Sequence, residues 1–342
     1  MKTYEITIKP VSGFGTPLKG DTLFGHICWQ AAYDEGLFGM SIDKLLSDYA
    51  KNPFMVVSSA YFKLNNGYAL KRPDMPLDML FRFEGQNKSD IIRNRKEFKK
   101  KRWMLVRNNH RITSIKADGM YFSDEQLFKE LLETEDTETQ RQMRKRDLKS
   151  FILDYSQPHN SINRLTGTTG EEQFAPFTVD QIVYIPDTDL IVFVGLREDV
   201  KIEQVVKALK QVGDFGFGKD ASTGLGRFKV IGYKEIDLFA MGSESPDACF
   251  TLAPCVPEKN MFSKMFFSPF TRFGRHGDVL AKSGKPFKNP VIMADEGAVF
   301  IFKDKAPVDK PYIGTAVDGI SKAEPNAVTQ GYSLYIPVKV EA

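Results

Sequence analysis

The chain has 342 residues, of which 42% are hydrophobic and 27% charged, and a formal net charge of +3. This is the composition of a globular protein with one large or two modest domains. No apolar run reaches the ~18 residues a membrane span needs, and the opening MKTYEITIKP lacks the apolar stretch of a secretory signal, so a cytoplasmic location away from membranes is expected. Cys28, Cys249 and Cys255 form no CxxC pair and have no clustered histidines beside them, which argues against zinc or a disulfide framework and for buried thiols.

TYEITIKP alternates like an edge or half-buried strand. Thr22–Ala32 carries Leu23, Phe24, Ile27, Cys28 and Ala31 at helical spacing, with Asp21 as candidate N-cap. SIDKLLSDYA predicts a second short helix, and FMVVSSAYFKL and GYALKRP predict strands around an Asn65-Asn66-Gly67 turn. From about Gly85 to Asp154 a charged stretch interrupts this pattern. Between Lys88 and Arg111 ten Lys/Arg face only Asp90 and Glu97, and an acidic run (130–139) and a basic run (141–149) follow. Such blocks mark either a solvated helical insertion or a polyanion-binding arm. QIVYIPDTDLIVFVGL predicts a β-hairpin around PDTD. Val200, Ile202, Val205, Val206, Leu209 and Val212 predict an amphipathic helix, a glycine-rich loop follows, and RFKVIGYKEI alternates as a strand. Without the insertion this order is βαββαβ, the ferredoxin-like unit that also underlies RRM modules. Beyond Leu238, ACFTLAPCV, GAVFIFKD and GYSLYIPVKV suggest a second, smaller β-rich unit. The expected division is therefore 1–240, carrying the insertion (about 85–154), and 241–342.

The loop GDFGFGKDASTGLGRFKV (213–230) raises the question of a ligand. Gly213–Lys219 fits the first seven positions of a Walker A motif, but Asp220 stands where a hydroxyl should bind magnesium. A helix also enters the loop and a strand leaves it, so no helix N-terminus faces the anion. Glycines such as Gly216, Gly218, Gly224 and Gly226 let a backbone approach a ligand closely, and the amides with Lys219, Ser222, Thr223 and Arg227 offer donors along a strip that suits an extended RNA strand. The other reading is a structural loop capping a sheet. A second polar stretch, QPHNSINRLTGTTGEEQFAPF (157–177), gathers His159, Asn160, Ser161, Asn163, Arg164, Thr166 and Thr168, which either contact unpaired bases and 2′-hydroxyls or form an ordinary polar loop. A third, SPFTRFGRHGDVLAKSGKPFKNP (268–290), interleaves Arg272, Arg275 and three lysines with Phe270, Phe273 and Phe287. This suits backbone neutralisation with base stacking, or equally a long loop pinned by its aromatics.

Taken together, SGFGTPLKGDTLFGHICW, HNSINRLTGTTGEEQFAPF, GFGKDASTGLGRF, PFKNPVIMADEGAVF and YIGTAVDGIS resemble the RAMP superfamily of CRISPR proteins and, more narrowly, the fourth Csm subunit of the type III-A effector complex. The resemblance runs from Lys2 to the final strand. It implies an α+β fold of two ferredoxin-like (RRM-like) domains with a helical or hairpin thumb, placed in or near 85–154. It implies a subunit that grips the repeat-derived 5′ tag of crRNA, caps the backbone filament, docks the large polymerase-like subunit and the backbone RAMP subunit, and meets target RNA only indirectly. On that basis the Thr16–Gly20 loop, with Thr16, Lys19 and Gly20, joins Gly216–Arg227 and His159–Thr168 in the tag site. No cofactor, metal or catalytic residue is implied. The competing function is a metal-independent endoribonuclease processing precursor crRNA, with His26 as general acid or base. His26 has apolar neighbours in FGHICW and no placed partner, which favours a helical histidine over a catalytic one.

Overall fold

The structure, a computed structural model, describes residues 1–83, 87–108, 110–117, 119–133, 137–170, 174–303 and 310–340. Gly85, the expected start of the insertion, and residues 134–136 of the acidic run lie outside them. The first half runs β1 (Lys2–Pro10), α1 (Gly20–Tyr33), α2 (Ile42–Ser47), β2 (Met55–Leu64), β3 (Gly67–Lys71), α3 (Leu77–Leu80), α4 (Lys88–Lys100), β4 (Lys101–Arg107), β5 (Tyr121–Ser123), α5 (Asp124–Leu132) and α6 (Thr137–Lys145). It continues with β6 (Ile152–His159), β7 (Phe177–Tyr184), β8 (Leu190–Leu196), α7 (Ile202–Phe215) and β9 (Phe228–Glu235).

These strands build a seven-stranded sheet in the order β5-β4-β3-β2-β8-β1-β9. Within it β2-β8-β1-β9 is an antiparallel set, with α1 and α7 packed on each other and on β2 and β9. That is the strand order expected of one βαββαβ unit. Its core is rich in aromatics, with Phe24 stacked on Tyr49 at 4.6 Å and Phe54 against both. α7 buries Ile202, Val205, Val206, Leu209 and Val212, the stripe its spacing predicts.

Four local expectations change. β1 is an interior strand between β8 and β9, not an edge. Lys19, not Asp21, occupies the N-cap of α1, while Asp21 sits buried in the first turn. β8 does not pair with β7 among the described residues: it pairs with β1 and β2, and β7 pairs with β6 over eight residues. The sequence carries the reason, because LIVFVGL is a continuous apolar run buried along its whole length, whereas FTVDQIVY is mostly solvated. Finally, the charged stretch is only partly an insertion. β4 buries Met104, Leu105 and Val106 and, with β5, extends the main sheet beyond β3.

The second half contributes β10 (Ala248–Thr251), β11 (Phe262–Phe266), β12 (Pro269–Arg272), β13 (Val291–Ala294), β14 (Val299–Phe302), β15 (Tyr312–Gly314) and β16 (Tyr332–Val338). A five-stranded sheet runs β11-β14-β10-β16-β15, and β12–β13 form a separate ribbon. Among the described residues of 241–342 there is no α-helix, so the two helices of a second ferredoxin-like unit are not seen. β16 packs on β2 and β8, and Phe250, Leu334 and Ile336 belong to the same buried cluster as Ile6 and Val192.

Candidate nucleic-acid interface

The glycine-rich loop leaves α7 and turns back into β9 through backbone that side chains disfavour. Gly216, Gly218, Gly224 and Gly226 all have positive φ, and so does Asp220 at 59°. The requirement is plainest at Gly226, where φ is 74° and any Cβ would collide with the Phe217 backbone. The loop is then fastened to residues 11–16. The Gly226 amide donates to the Gly13 carbonyl (2.7 Å), Val11 N–H to the Arg227 carbonyl (2.9 Å), Lys219 N–H to Thr16 Oγ1 (2.9 Å) and Arg227 N–H to Ser12 Oγ (2.9 Å). Those loop amides face the protein, not a ligand. What remains outward are the side chains of Lys219, Ser222, Thr223 and Arg227, all exposed. Thr223 Oγ1 donates to the Asp220 carbonyl at 2.8 Å, and Lys219 is loosely paired with Asp220 at 3.8 Å.

His26 lies beneath this loop. The Gly218 amide donates to its Nε2 at 3.2 Å, and its ring packs on Phe217 at 4.7 Å between centroids. Burial pushes its pKa down to about 4. The imidazole is therefore neutral near pH 7, with the Nε2 lone pair already engaged. It positions the loop.

Three residues expected on RNA are engaged within the protein itself. The Lys19 side chain is 13% exposed, and its ammonium contacts Asp295 at 2.5 Å and Glu296 at 2.6 Å. Lys71 reaches the other oxygen of Asp295 at 3.1 Å. Burial raises the Asp295 pKa, but the hydrogen bond with Glu296 and the two ammoniums outweigh it and hold the carboxyl at about 2. Burial, with Asp295 alongside, raises that of Glu296. Gly20 is buried where α1 crosses β2, and a Cβ there would collide with the Val57 carbonyl oxygen. Arg272 forms a two-pronged bond to the buried Asp21, at 2.6 and 2.9 Å, that ties β12 to the start of α1. Thr16 uses its hydroxyl on Lys219, while Arg275 is exposed and lies 5.6 Å over the Phe287 ring.

The second polar stretch forms the tip of the β6–β7 hairpin, which spans 152–184. Its strands are largely solvated, with Tyr155 and Phe177 each about half exposed and His159 stacked on Phe177 at 5.4 Å. The tip is shaped by its own bonds, including Asn163 N–H to the Thr168 carbonyl (3.0 Å), Leu165 N–H to Asn163 Oδ1 (2.9 Å) and Thr166 Oγ1 against Thr168 Oγ1 (3.0 Å). Asn160, Arg164, Thr166 and Thr168 are exposed there, and Ser161 is half-buried. The hairpin is joined to the glycine-loop assembly by a reciprocal pair of 2.8 Å bonds between Phe14 and Ile182. Ile182 pairs five residues from the hairpin end, so the tip stands roughly 17 Å away from that junction. The two loop regions therefore border one surface but do not close into one pocket. Sequence reasoning missed Ser12 and Phe14, which organise both. The pairing partner of FTVDQIVY was the available signal, since ILDYSQPH offers eight residues of similar exposure.

Among the described residues no group of three or more His, Cys, Asp or Glu could hold a metal ion, and no helix is long and apolar enough to cross a membrane. No protein-family model and no curated protein matches the chain. Solved structures do. A chain from the crystal structure of a Csm1-Csm4 cassette with pppApA superposes with a TM-score of 0.58 at 14% identity, covering 100% of this chain and 98% of that one. The same cassette with cA4 gives 0.56 at 13% identity over 99% and 98%. A chain of the Csm3-Csm4 subcomplex from the type III-A CRISPR-Cas interference complex gives 0.54 at 15% identity over 98% and 99%. At such identities the likeness is one of fold, and it extends over nearly the full length in each case: this chain shares its α+β fold with chains of the Csm1-Csm4 cassette and of the Csm3-Csm4 subcomplex from the type III-A CRISPR-Cas interference complex.

Proposed function

We propose that the chain is a non-catalytic RNA-binding subunit of a type III-A CRISPR interference complex that holds the 5′ repeat-derived tag of crRNA. In this role it caps the backbone filament and docks the polymerase-like and backbone subunits, as the chains of similar fold occur in assemblies named for Csm1 and Csm3. The observation that carries the reading is the fastening of residues 216–227 onto residues 11–16. It fixes Lys219, Ser222, Thr223 and Arg227 on a rigid base, with their side chains exposed where they can meet phosphates and sugars. Asn160, Arg164, Thr166 and Thr168 extend that surface along the hairpin. Phe273, Val279, Phe287 and Ile292, each at least 68% exposed on the β12–β13 ribbon and its loop, give a face suited to a protein partner. The endoribonuclease reading gains nothing from His26, whose acceptor nitrogen is engaged by Gly218.

The test is RNA binding by the complex reconstituted with its partner subunits. Lys219→Ala and Arg227→Ala are each expected to weaken tag RNA and to flatten the salt dependence of binding by about 0.7 per lost phosphate contact. Asn160→Ala and Arg164→Ala should weaken tag RNA more than scrambled RNA. Unchanged slopes together with equal losses on both RNAs would remove these loops from the site.

A further inference from the structure

The helix α4 presents a cationic face that the tag site does not use. Lys88, Arg95 and Lys99 fall within about 40° of one another around the axis, with Lys96 and Lys100 beside them, over a length of roughly 16 Å. All five are exposed, no residue of α4 is buried, and Ile92 is the one large apolar side chain on that face. Lys100 pairs with Glu97 at 2.9 Å and Arg95 lies 5.6 Å over Phe83, whereas Lys88, Lys96 and Lys99 have no ion pair among the described residues. The helix is held firmly from beneath. Phe98 stacks on Phe81 at 4.1 Å, the Lys101 ammonium covers both rings, and Arg72 donates to the Phe98 and Lys101 carbonyls at 2.8 Å each.

Helix electrostatics do not account for this pattern. Lys99 and Lys100 suit the negative C-terminal end, but Lys88 occupies the first helical position, at the positive end. Arg95 and Lys99, four apart, repel along the same face. A self-repelling helix anchored through its other side is a surface arranged for an external polyanion. We propose that the outer face of α4 is a second RNA site, contacting phosphodiester backbone without reading sequence. An acidic protein surface fits less well, because protein interfaces are built on buried apolar and aromatic anchors and are depleted in lysine, and this face offers only Ile92. The site is separate from the tag surface. α4 runs directly into β4, which lies five strands from β9 and the glycine loop, a distance of roughly 24 Å across the sheet. The inference does not depend on the tag reading.

The test uses the full chain and a polyuridine oligonucleotide lacking the tag sequence, titrated across a salt series, with Lys88→Gln/Lys96→Gln/Lys99→Gln as the variant. Glutamine keeps helix propensity and these side chains touch no core, so an unchanged circular dichroism spectrum is expected. The variant should bind at least tenfold more weakly at low salt, with a slope flatter by about 2, from three contacts at about 0.7 each. Lys219→Ala/Arg227→Ala combined with the triple change should give additive losses, and the α4 effect should persist even if the loop variant alone has none. Wild-type protein that ignores polyuridine at low salt, or a variant with unaltered affinity and slope, overturns the proposal. A variant that loses a polyglutamate peptide yet keeps RNA overturns it in favour of an acidic protein partner.

Discussion

Replacing Lys19 with alanine is expected to destabilise the protein by about 3 kcal/mol while leaving the intrinsic RNA contacts in place. Lys19 caps α1 and inserts its ammonium between Asp295 and Glu296, whose side chains are 19% and 15% exposed. Without it, two adjacent carboxylates depend on Lys71 alone, which must also serve Asp74 at 3.3 Å. Removing one member of a sheltered charge cluster costs far more than the cluster contributes on balance, because the partners are left desolvated and unpaired. The loss would appear as a thermal midpoint lower by about 5 °C or more. Glu296→Gln in the Lys19→Ala background should recover a substantial part, since it removes the charge that Lys19 neutralises. The double-mutant cycle measures that coupling directly. If Lys19→Ala melts like the wild type and binds tag RNA more weakly, Lys19 belongs to the RNA surface after all.

That contrast shows where sequence reasoning stops. The strand 228–235 and the helices at 20–33 and 202–215 were legible because each carries a periodic apolar pattern, and the strands 55–64, 67–71 and 332–338 because each is a short run rich in apolar and aromatic residues, buried in consecutive positions. The glycine loop was legible as a special conformation, but its cause was not. Nothing local reveals that Gly13, Thr16 and Ser12, some two hundred positions away, accept the bonds of its amides. Arg272 looked like a phosphate ligand, and Lys19 entered the site through the resemblance, because neither reading can see a carboxylate partner that is distant in sequence. Asp295 and Glu296 are 276 and 277 positions from Lys19, and Asp21 is 251 from Arg272. The hairpin was misplaced for a related reason. PDTD is a sound turn, yet the strands it joins enter different sheets, and only the exposure of β7 against the burial of β8 separates them.

Acid should release the loop through His26, and the effect has a definite sign. The His26 pKa is lowered by burial to about 4 in the folded chain, against 6.5 for the free side chain. As pH falls below 6.5 the unfolded chain takes up a proton that the folded chain refuses, so stability is complete near pH 7 and declines between 6.5 and 4. At pH 5 this one group is expected to cost about 2 kcal/mol. The structural reason is the bond from Gly218. A protonated ring would turn an N–H toward the Gly218 amide, setting donor against donor beneath Phe217. In His26→Gln a side-chain carbonyl can still accept from that amide, but nothing titrates there. Denaturant midpoints of the two proteins should therefore diverge by about that amount between pH 7 and pH 5, with the wild type the more acid-sensitive, and other titrating groups cancel in the comparison. Exchange of the Gly218 amide should accelerate relative to the base-catalysed trend in the wild type over the same interval and not in the variant. Parallel stability profiles would mean that His26 is solvated and free of the loop. The rigid base on which Lys219 and Arg227 are displayed would then need another support.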